Sequence, residues 1–374
     1  MTNPVIVGGG LAGGAAAALL AAGGAAPLLL ERETEPKHKI CGEFLSTEAQ
    51  LHLAALGLDV ARLGGAPISH VRLIAGRLSV EAKLPFAAVS LTRRRLDAAL
   101  LDHAAALGAA VRRGVTVRAV TDAGLDTSDG AIDAPTLLLA SGKHDIRGAR
   151  RDVAGAITGM IGFKSYFRLS PAQHAALTGY VEVVLFDGGY AGLQLVEDGS
   201  ANLCLLVRKD RFEASGRTWS ALLNGHLMAQ PHLARRLDGA RELSDRPITI
   251  AEVPYGFLHR AAPSDPQGLY RLGDQAAVIP SFSGDGMSIA LHSARLAARA
   301  VRDGAPAGAY HARLIADVGR QVRLAAWMQR AAEGFPGRHA AVAGLSLVPG
   351  ALAALAAWTR VPEQALKRAG LGSG

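Results

Sequence analysis

The chain has 374 residues, which exceeds one average domain and allows two domains around a bound ligand. Hydrophobic residues make up 49% and charged residues 19%, so the chain is not intrinsically disordered, and its 44 glycines lack the three-residue period of collagen. The net charge is +8, but the basic residues are scattered among acids and only 5% of residues are aromatic, which argues against nucleic-acid binding.

Two features of the sequence bear on the cellular compartment: the number of cysteines and the composition of the first 30 residues. Cys41 and Cys204 are the two cysteines of the sequence, too few for a disulfide framework, and they suit a reducing compartment. The apolar start, residues 5–30, has no basic region before it and is interrupted by glycines, so it does not predict a signal peptide. We therefore expect a cytoplasmic protein.

The first predicted elements form a βαβ unit, with strands at residues 4–7 and 26–30 and a helix at 11–22. Between them, GGGLAG at residues 8–13 fits the pattern G-x-G-x-x-G. Gly8, Gly10 and Gly13 permit a tight turn and let a pyrophosphate approach the free N–H groups and positive dipole of the helix. Glu31, at the end of the second strand, can accept hydrogen bonds from a ribose. The unit therefore predicts dinucleotide binding.

Further along the chain, the predicted elements change in type at about residue 156. Helices are predicted at residues 46–56, 93–107, 219–228 and 232–237, and from about residue 286. Strands are predicted at residues 111–120, 136–140, 181–186, 192–196, 201–207, 248–253 and 269–272. The alternating strands with glycine turns predict an antiparallel sheet, inserted into a discontinuous nucleotide-binding domain.

A second apolar run, residues 340–358, approaches the length of a membrane-spanning helix. Glycine, serine and a Pro-Gly pair interrupt it, so two short packed helices are predicted instead. Such a hairpin could place an apolar face on a bilayer next to Arg338 and Arg360, which predicts peripheral membrane contact.

A second glycine motif decides the cofactor. Gly273 and Asp274 follow the strand predicted at 269–272, and SFSGDGMSIA at residues 281–290 precedes a helix. Here the chain resembles the FAD-dependent oxidoreductase superfamily of aromatic hydroxylases, flavin-dependent halogenases and geranylgeranyl reductases. Glycines that open a helix can hold the electron-rich N1–C2 carbonyl region of a flavin and stabilise its reduced form.

The resemblance implies FAD as cofactor and roles for individual residues. It places Asp274 on the ribityl chain, the backbone of Gly284 and Gly286 on the flavin ring, and Pro280 beside the isoalloxazine. Arg93, in RRRLD at residues 93–97, resembles an arginine that reaches the FAD phosphates. The complete predicted cofactor set is Gly8, Gly10, Gly13, Glu31, Arg32, Arg93, Val117, Gly273, Asp274, Pro280, Gly284, Gly286 and Met287, with the backbone of Val117 contacting adenine.

Two further segments suggest residues on the substrate side. KICGEFLS at residues 39–46 resembles the Cys-Gly/Ala-Glu-Gly segment of geranylgeranyl reductases, where Cys41 could line the cavity and Glu43 or Lys39 could position a proton. The alternative for Cys41 is a small buried hydrophobic side chain. GYAG at residues 189–192 resembles a Gly-Tyr-Ala-Trp strand that backs the flavin. Tyr190 is therefore predicted to contact it, and Gly192 enlarges the cavity.

Departures from the family pattern limit the inference. The Asp-Gly motif of NADPH-dependent hydroxylases is replaced by SGKHDIR at residues 141–147, which puts that route for NAD(P)H as electron donor in doubt. Lys143, His144 and Arg147 could still attract a phosphate. The Trp-x-Trp-x-Ile-Pro signature of halogenases is absent from the sequence, and the histidine spacing predicts no metal site.

The predicted fold class is α/β, a Rossmann-type FAD-binding domain with an inserted antiparallel-sheet substrate domain and C-terminal helices. The FAD-binding domain is expected at residues 1–65, 88–155 and 263–335, the substrate domain at 66–87 and 156–262, and the helical segment at 336–374. The predicted function is an FAD-dependent oxidoreductase for a small hydrophobic or aromatic biosynthetic intermediate. Monooxygenation is placed first, double-bond reduction second, and a non-redox cyclase, isomerase or flavin-binding protein third. The oligomeric state is not predicted.

Overall fold

The computed structural model describes residues 3–262, 265–332 and 335–372. The strands, in chain order, are β1 (Val5–Val7), β2 (Leu28–Glu31), β3 (Phe44–Leu45), β4 (Ala66–Ala75), β5 (Leu78–Ser90), β6 (Ala110–Arg113), β7 (Val117–Thr121), β8 (Gly124–Thr127), β9 (Gly130–Ile132), β10 (Leu137–Leu139), β11 (Met160–Arg168), β12 (Tyr180–Phe186), β13 (Gly189–Leu195), β14 (Ala201–Arg208), β15 (Arg241–Glu242), β16 (Ile248–Ala251) and β17 (Leu269–Arg271). The α-helices are α1 (Leu11–Ala22), α2 (Thr47–Ala54), α3 (Arg93–Ala106), α4 (Pro171–Leu177), α5 (Lys209–Ala214), α6 (Trp219–Ala221), α7 (Pro231–Arg236), α8 (Gly286–Arg302), α9 (Ala307–Ala332), α10 (Phe335–Leu347), α11 (Ala351–Trp358) and α12 (Glu363–Arg368).

A parallel sheet in the order β17-β10-β1-β2-β6 forms the centre of the nucleotide-binding part. The central strands β1 and β10 are continuous runs of buried aliphatic residues, as expected where both faces are covered. Helices α1, α3, α8 and α9 bury their apolar residues against one face, and the small sheet β7-β8-β9 packs on the other. The carboxyl ends of β1, β2, β10 and β17 therefore meet at one edge, where ligands bind in such folds.

The second sheet has the order β15-β11-β14-β13-β12-β4-β5-β3, with β16 also paired to β11. Its pairings are antiparallel except for β12 with β4, which is parallel. Alternate residues point to opposite faces of a strand. One face packs against the core formed with α4 to α7, and the other faces the parallel sheet and the C-terminal helices.

The architecture agrees with the predicted fold class, whereas several element predictions were wrong. The strand predicted at 111–120 is two strands, because the chain turns at Gly114 with φ of +78°. The helix predicted at 219–228 continues from α6 as a π-helix over Leu222–Leu227. The hairpin of β4 and β5 was not predicted as strands. The domain boundaries stay a prediction.

The apolar run near the C-terminus forms the two helices α10 and α11, which break at Pro349 and Gly350 as predicted. They pack on β4 and β5 of the second sheet. In the described part of the chain, no single helix is both long and apolar enough to cross a membrane. By length and composition only, Pro336–Leu347 and Ala351–Arg368 pass together as a pair bent by 114°. Arg338 and Arg360, predicted beside an exposed apolar face, are instead buried.

Candidate functional site

The glycine loop after β1 is packed too closely for side chains. A Cβ atom on Gly13 would lie 1.9 Å from the carbonyl oxygen of Gly8, and one on Gly8 would lie 2.4 Å from that of Ala140. Gly8 also has φ of +103°, in the left-handed region that favours glycine. Gly10 is the N-cap of α1 and has no side chain to cap it, so the first N–H groups of the helix face the cavity described below. This arrangement suits a phosphate anion.

The end of β2 places Glu31 beside this loop. The N–H of Gly9 donates to Glu31 Oε2 at 2.6 Å, and the N–H of Glu33 donates to Oε1 at 2.9 Å. The Glu31 side chain is buried, whereas Arg32 is exposed and pairs with Glu33 at 3.1 Å. Val117 begins β7, next to the parallel sheet. Glu31 is thus fixed at the loop, while the roles predicted for Arg32 and Val117 stay predictions.

Two cations stand over the glycine loop. Arg93 binds Asp97 through Nε and Nη2 at 2.7 and 2.9 Å, and Lys39 Nζ lies 3.1 Å from the same carboxylate. The Arg93 guanidinium lies 3.2 Å from the position that a Cβ atom on Gly10 would take. Although burial opposes it, Asp97 raises the pKa of Arg93 above its ordinary value. Arg93 therefore remains charged beside the glycine loop.

The second glycine motif lies at the same edge of the parallel sheet. Gly273 has φ of +57° and its N–H donates to Ser293 Oγ at 2.9 Å, which fixes the turn that presents Asp274. Gly284 has φ of +70°, and a Cβ atom there would lie 2.8 Å from the ring of Phe44. Gly286 and Met287 then begin α8. Two helix N-termini, those of α1 and α8, thus face one cavity.

A buried arginine from the C-terminal segment holds the loop before α8. Arg360 Nη2 donates to the carbonyl oxygen of Ser283, and Nη1 lies 3.4 Å from Asp285 Oδ1. Its guanidinium also lies 5.3 Å from the ring centre of Phe86. Asp285 is fully buried, and burial raises its pKa to about 7 although Arg360 opposes the shift. The C-terminal segment is therefore bonded directly to the predicted flavin loop.

Residues 39–43 cross between the two sheets and are held by side chains of the second sheet. Glu43 has φ of +63° and is fully buried, with Lys164 Nζ 2.6 Å from its Oε1. Tyr166 OH donates to both carboxylate oxygens at 2.9 Å, and the Arg93 N–H donates to Oε1 at 2.8 Å. Burial raises the pKa of Glu43, and the Lys164 ammonium opposes this. We call Glu43, Lys164 and Tyr166 the anchor cluster.

Two more side chains, His38 and Asn202, contact the anchor cluster or the segment that it holds. His38 Nδ1 lies 2.8 Å from Tyr166 OH, and burial lowers the pKa of His38 to about 4, so its ring is neutral at pH 7. Because the hydroxyl proton of Tyr166 goes to Glu43, His38 Nδ1 is the donor in that bond. Asn202, paired with Tyr166 across the strands, donates to the carbonyl oxygens of Cys41 and Gly42 at 3.3 and 3.0 Å.

The two other predicted catalytic side chains face the cavity. Cys41 is partly exposed, and its Sγ accepts from the Glu43 N–H at 3.3 Å and lies within range of Arg93. Tyr190 is buried, and its hydroxyl oxygen accepts from the N–H of Phe282 at 3.0 Å. Burial raises the pKa of Tyr190 well above its ordinary value. Tyr190 is therefore a neutral phenol that is hydrogen-bonded to the loop before α8, residues 281–285, which is predicted to contact the flavin.

A cavity of about 630 Å³ connects these features. Among the predicted residues, its lining includes Gly10, Cys41, Glu43, Arg93, Tyr190, Gly273, Asp274, Gly284, Gly286 and Met287. Gly8, Gly13, Glu31, Arg32, Val117 and Pro280 are not part of this lining in the described residues. The rest of the cavity lining includes aliphatic residues of β4, β5 and β12 and residues of α9, α10 and α11.

The side chains of Lys143, His144 and Arg147, in the segment at residues 141–147, point to different places. Lys143 points into the cavity, where Nζ donates to the carbonyl oxygen of Ile40 at 2.8 Å. Burial lowers the pKa of Lys143, but Tyr255 and Asp274 outweigh it and raise the pKa above its ordinary value. His144 is exposed near Arg32, and Arg147 pairs with Asp126 at 3.5 Å. A joint phosphate site of the three side chains is therefore not formed.

Sequence reasoning missed the anchor-cluster residues Lys164 and Tyr166 and the loop-holding Arg360. One signal was available for Lys164, which interrupts the apolar run of β11 at a position two residues from Tyr166 and on the same face. A lysine inside a buried strand needs a partner, since an isolated buried charge is costly. Its partner Glu43, 121 residues earlier, could not be chosen from sequence.

Comparisons with known proteins agree with this geometry. Residues 1–131 match the family model of the FAD binding domain. The flavin-dependent brominase Bmp2 has TM-score 0.74 and 17% identity, over 99% of this chain and 96% of that chain. A geranylgeranyl bacteriochlorophyll reductase-like protein from Thermoplasma acidophilum has TM-score 0.71 and 18% identity, over 98% and 95%. The myxobacterial chondrochloren halogenase CndH has TM-score 0.69 and 18% identity, over 98% and 95%. No curated protein sequence matches.

Fold and site together define an α/β protein whose residues 1–131 match an FAD binding domain and whose second sheet lines a cavity beside it. More particularly, the fold is the one shared by flavin-dependent halogenases and geranylgeranyl reductase-like proteins, and the resemblance predicted from the sequence is confirmed.

Proposed function

We propose that the chain holds FAD non-covalently along the edge of the parallel sheet and catalyses oxidation–reduction of a small hydrophobic substrate. The side chains present fit this cofactor. The glycine loop before α1 has no room for a Cβ atom at Gly8 or Gly13, Arg93 and Lys39 supply positive charge beside it, and Glu31 at the end of β2 is the acceptor proposed for a ribose. When bound, FAD would supply the electron or hydride transfer that protein side chains cannot perform.

Replacing Glu31 tests the assignment of FAD as cofactor, because Glu31 is assigned to the ribose and not to the flavin ring. Glu31→Ala should weaken FAD retention by roughly 1–3 kcal/mol, because it removes a charged hydrogen-bonding partner. The dissociation constant of FAD is measured by titrating the apoprotein and following flavin fluorescence. Turnover at saturating FAD should survive. A reloaded variant that is inactive with normal FAD affinity would show that the assigned role is wrong.

We place monooxygenation first among the reactions. The observation that favours it is the engagement of Glu43: although burial raises its pKa, the side chain is fully buried and its two oxygens contact Lys164, Tyr166 and the Arg93 N–H, so it is not free to protonate a substrate carbon. Aliphatic side chains of β4, β5 and β12 line the cavity and suit a hydrophobic substrate. In this reaction one oxygen atom of O₂ enters the substrate, and the other leaves as water.

Double-bond reduction remains the second candidate because of Cys41. Its thiol is partly exposed in the cavity and lies near Arg93, so it can deliver a proton to a substrate carbon. Lys143 is a second cation in the same cavity. For either reaction, NAD(P)H is proposed as the electron donor.

Reoxidation of the flavin separates the two reactions. Enzyme reduced by light in the absence of oxygen is mixed by stopped flow with a panel of phenols and of polyunsaturated prenyl alcohols, and flavin absorbance is followed. Monooxygenation predicts no oxidation until oxygen is added, and then a product heavier by about 16 mass units. Rapid oxidation without oxygen, with a product heavier by about two, would reject the first reading. Cys41→Ser should slow only that second reaction, by about 10²-fold.

A further inference from the structure

Large apolar side chains are exposed on the helices near the C-terminus. Trp327 on α9 is 65% exposed, Leu347 at the end of α10 and Val348 after it are 81% and 57% exposed, and Trp358 at the end of α11 is 64% exposed. Soluble proteins rarely leave several large apolar side chains exposed in one region. Trp327 lines the cavity itself, together with Leu345 of α10 and Leu355 of α11.

Positive charge is concentrated in the same part of the chain. Residues 320–374 contain seven Lys and Arg side chains and two acidic ones, a net +5 of the total +8. On α9, Arg320, Arg323, Trp327 and Arg330 are all exposed at spacings of three, four and three, which places them along one face of the helix. A tryptophan flanked by arginines on one helix face is typical of segments that lie in the headgroup region of a membrane.

We infer that the exposed face of α9 and the turn between α10 and α11, here called the C-terminal surface, bind an anionic lipid bilayer. The occupant follows from charge and chemistry, because the surface combines exposed indole and aliphatic groups with arginines that anionic headgroups attract. The cations that do so are Arg320, Arg323 and Arg330, since Arg338 and Arg360 are buried.

Docking in this orientation would bring the cavity wall that contains Trp327 to the lipid. A lipid-soluble substrate would then enter between α9, α10 and α11 without crossing water. Aliphatic residues of β4, β5 and β12 line the same cavity as residues of both glycine motifs. This entry route rests on the proposed function, whereas the binding of membrane does not.

Flotation with vesicles tests the binding. FAD-loaded enzyme is mixed with vesicles of phosphatidylcholine or of phosphatidylcholine with 30% phosphatidylglycerol, the fraction being chosen as about that of anionic bacterial-type surfaces. The enzyme should float with the anionic vesicles, and 0.5 M salt, roughly enough to screen surface charges, should release it. Arg320→Glu with Arg323→Glu, and separately Trp327→Ser with Leu347→Ser, should each lower the partition coefficient about tenfold or more.

Matched controls use exposed side chains outside the C-terminal surface. Arg246→Glu and Leu107→Ser alter an exposed arginine and an exposed leucine elsewhere and should leave the partition coefficient unchanged. Brominated lipids should quench tryptophan fluorescence of the parent enzyme, and the Trp327→Ser variant should lose part of that quenching. FAD content and circular dichroism show whether each variant is folded.

Several results would overturn the inference. Failure of the parent enzyme to float with anionic vesicles, or equal losses in the control variants, would remove the surface from consideration as a membrane site. Loss of self-association in the Trp327→Ser variant without any vesicle binding would assign the surface to a second copy of the chain. Flotation uses no substrate, so failure to bind vesicles would not contradict the proposed redox function. Equally, an enzyme without turnover would not contradict the membrane binding measured by flotation.

Discussion

The replacement Glu43→Gln tests whether Glu43 anchors the segment between the sheets or acts on the substrate. The parent side chain is fully buried, pairs with an equally buried Lys164 at 2.6 Å and accepts from Tyr166 and from the Arg93 N–H. Glutamine keeps the size of the side chain and one acceptor oxygen. It removes the negative charge, so the Lys164 ammonium is left buried without its counter-ion.

The expected cost follows from that uncompensated charge. Breaking a buried ion pair by removing one partner destabilises proteins by about 3–5 kcal/mol, whereas replacing both partners by neutral groups of similar volume is often close to neutral. Glu43→Gln should therefore lower the free energy of unfolding by about 3 kcal/mol or more. The double variant Glu43→Gln with Lys164→Met should recover most of this loss.

Urea unfolding of the four proteins in the double-mutant cycle, followed by circular dichroism with saturating FAD, supplies the free energies. The same four proteins are assayed for anaerobic and aerobic reoxidation of the flavin by substrate. An anchoring role predicts that the double variant regains both stability and turnover. A Glu43→Gln variant of parental stability that has lost turnover, with no rescue by Lys164→Met, would refute this reasoning and make Glu43 the proton donor.

Three further predictions concern the cofactor loop, a buried acid and the cavity. Gly13→Val should abolish FAD binding, because a Cβ atom would lie 1.9 Å from the Gly8 carbonyl oxygen, and a normal ratio of flavin to protein absorbance would contradict this. Burial raises the pKa of Asp285 from 3.8 to about 7, so its contribution to stability is present at low pH and is lost as pH rises through 7. Asp285→Asn also removes the partner of buried Arg360, so the pH dependence is the readout: the change in Tm should be more favourable at pH 8 than at pH 5, and a pH-independent change would show that the acid is not perturbed. Gly192→Trp should exclude bulky substrates while FAD content stays unchanged, since the nearest atom to a Cβ there is 3.5 Å away; an unchanged KM for a bulky substrate would argue that the position does not face it.

The parts of the site that sequence predicts are local in the chain. The loop at residues 8–13 depends on a strand, a turn and a helix within about 20 residues, so its glycine spacing carries the geometry directly. The turn at Gly273 is similar, because its φ of +57° and its place after β17 follow from neighbouring residues. The structure places both glycine turns at one edge of the sheet, because β1 and β17 run parallel with β10 between them.

The parts that sequence did not predict depend on pairings between distant segments. Nothing near Glu43 specifies that Lys164 will lie opposite it, because their distance depends on the register of β11 in a sheet formed by residues far apart in the chain. Arg360 was predicted next to an exposed apolar face, but it is buried against Phe86 and Ser283, where α11 packs on β5. Tertiary packing, not local pattern, decided both positions.

The bonds across the two sheets explain why the cofactor can be assigned more firmly than the reaction. The segment at residues 39–43 is held by Lys164, Tyr166 and Asn202 of the second sheet. The loop before α8 is held by Tyr190 of that sheet and by Arg360 of the C-terminal segment. The predicted FAD-binding glycines follow strands of the parallel sheet, whereas side chains from the second sheet and the C-terminal segment hold the two loops beside the cavity. The match of residues 1–131 to an FAD binding domain therefore supports the cofactor, whereas the fold by itself does not determine the reaction.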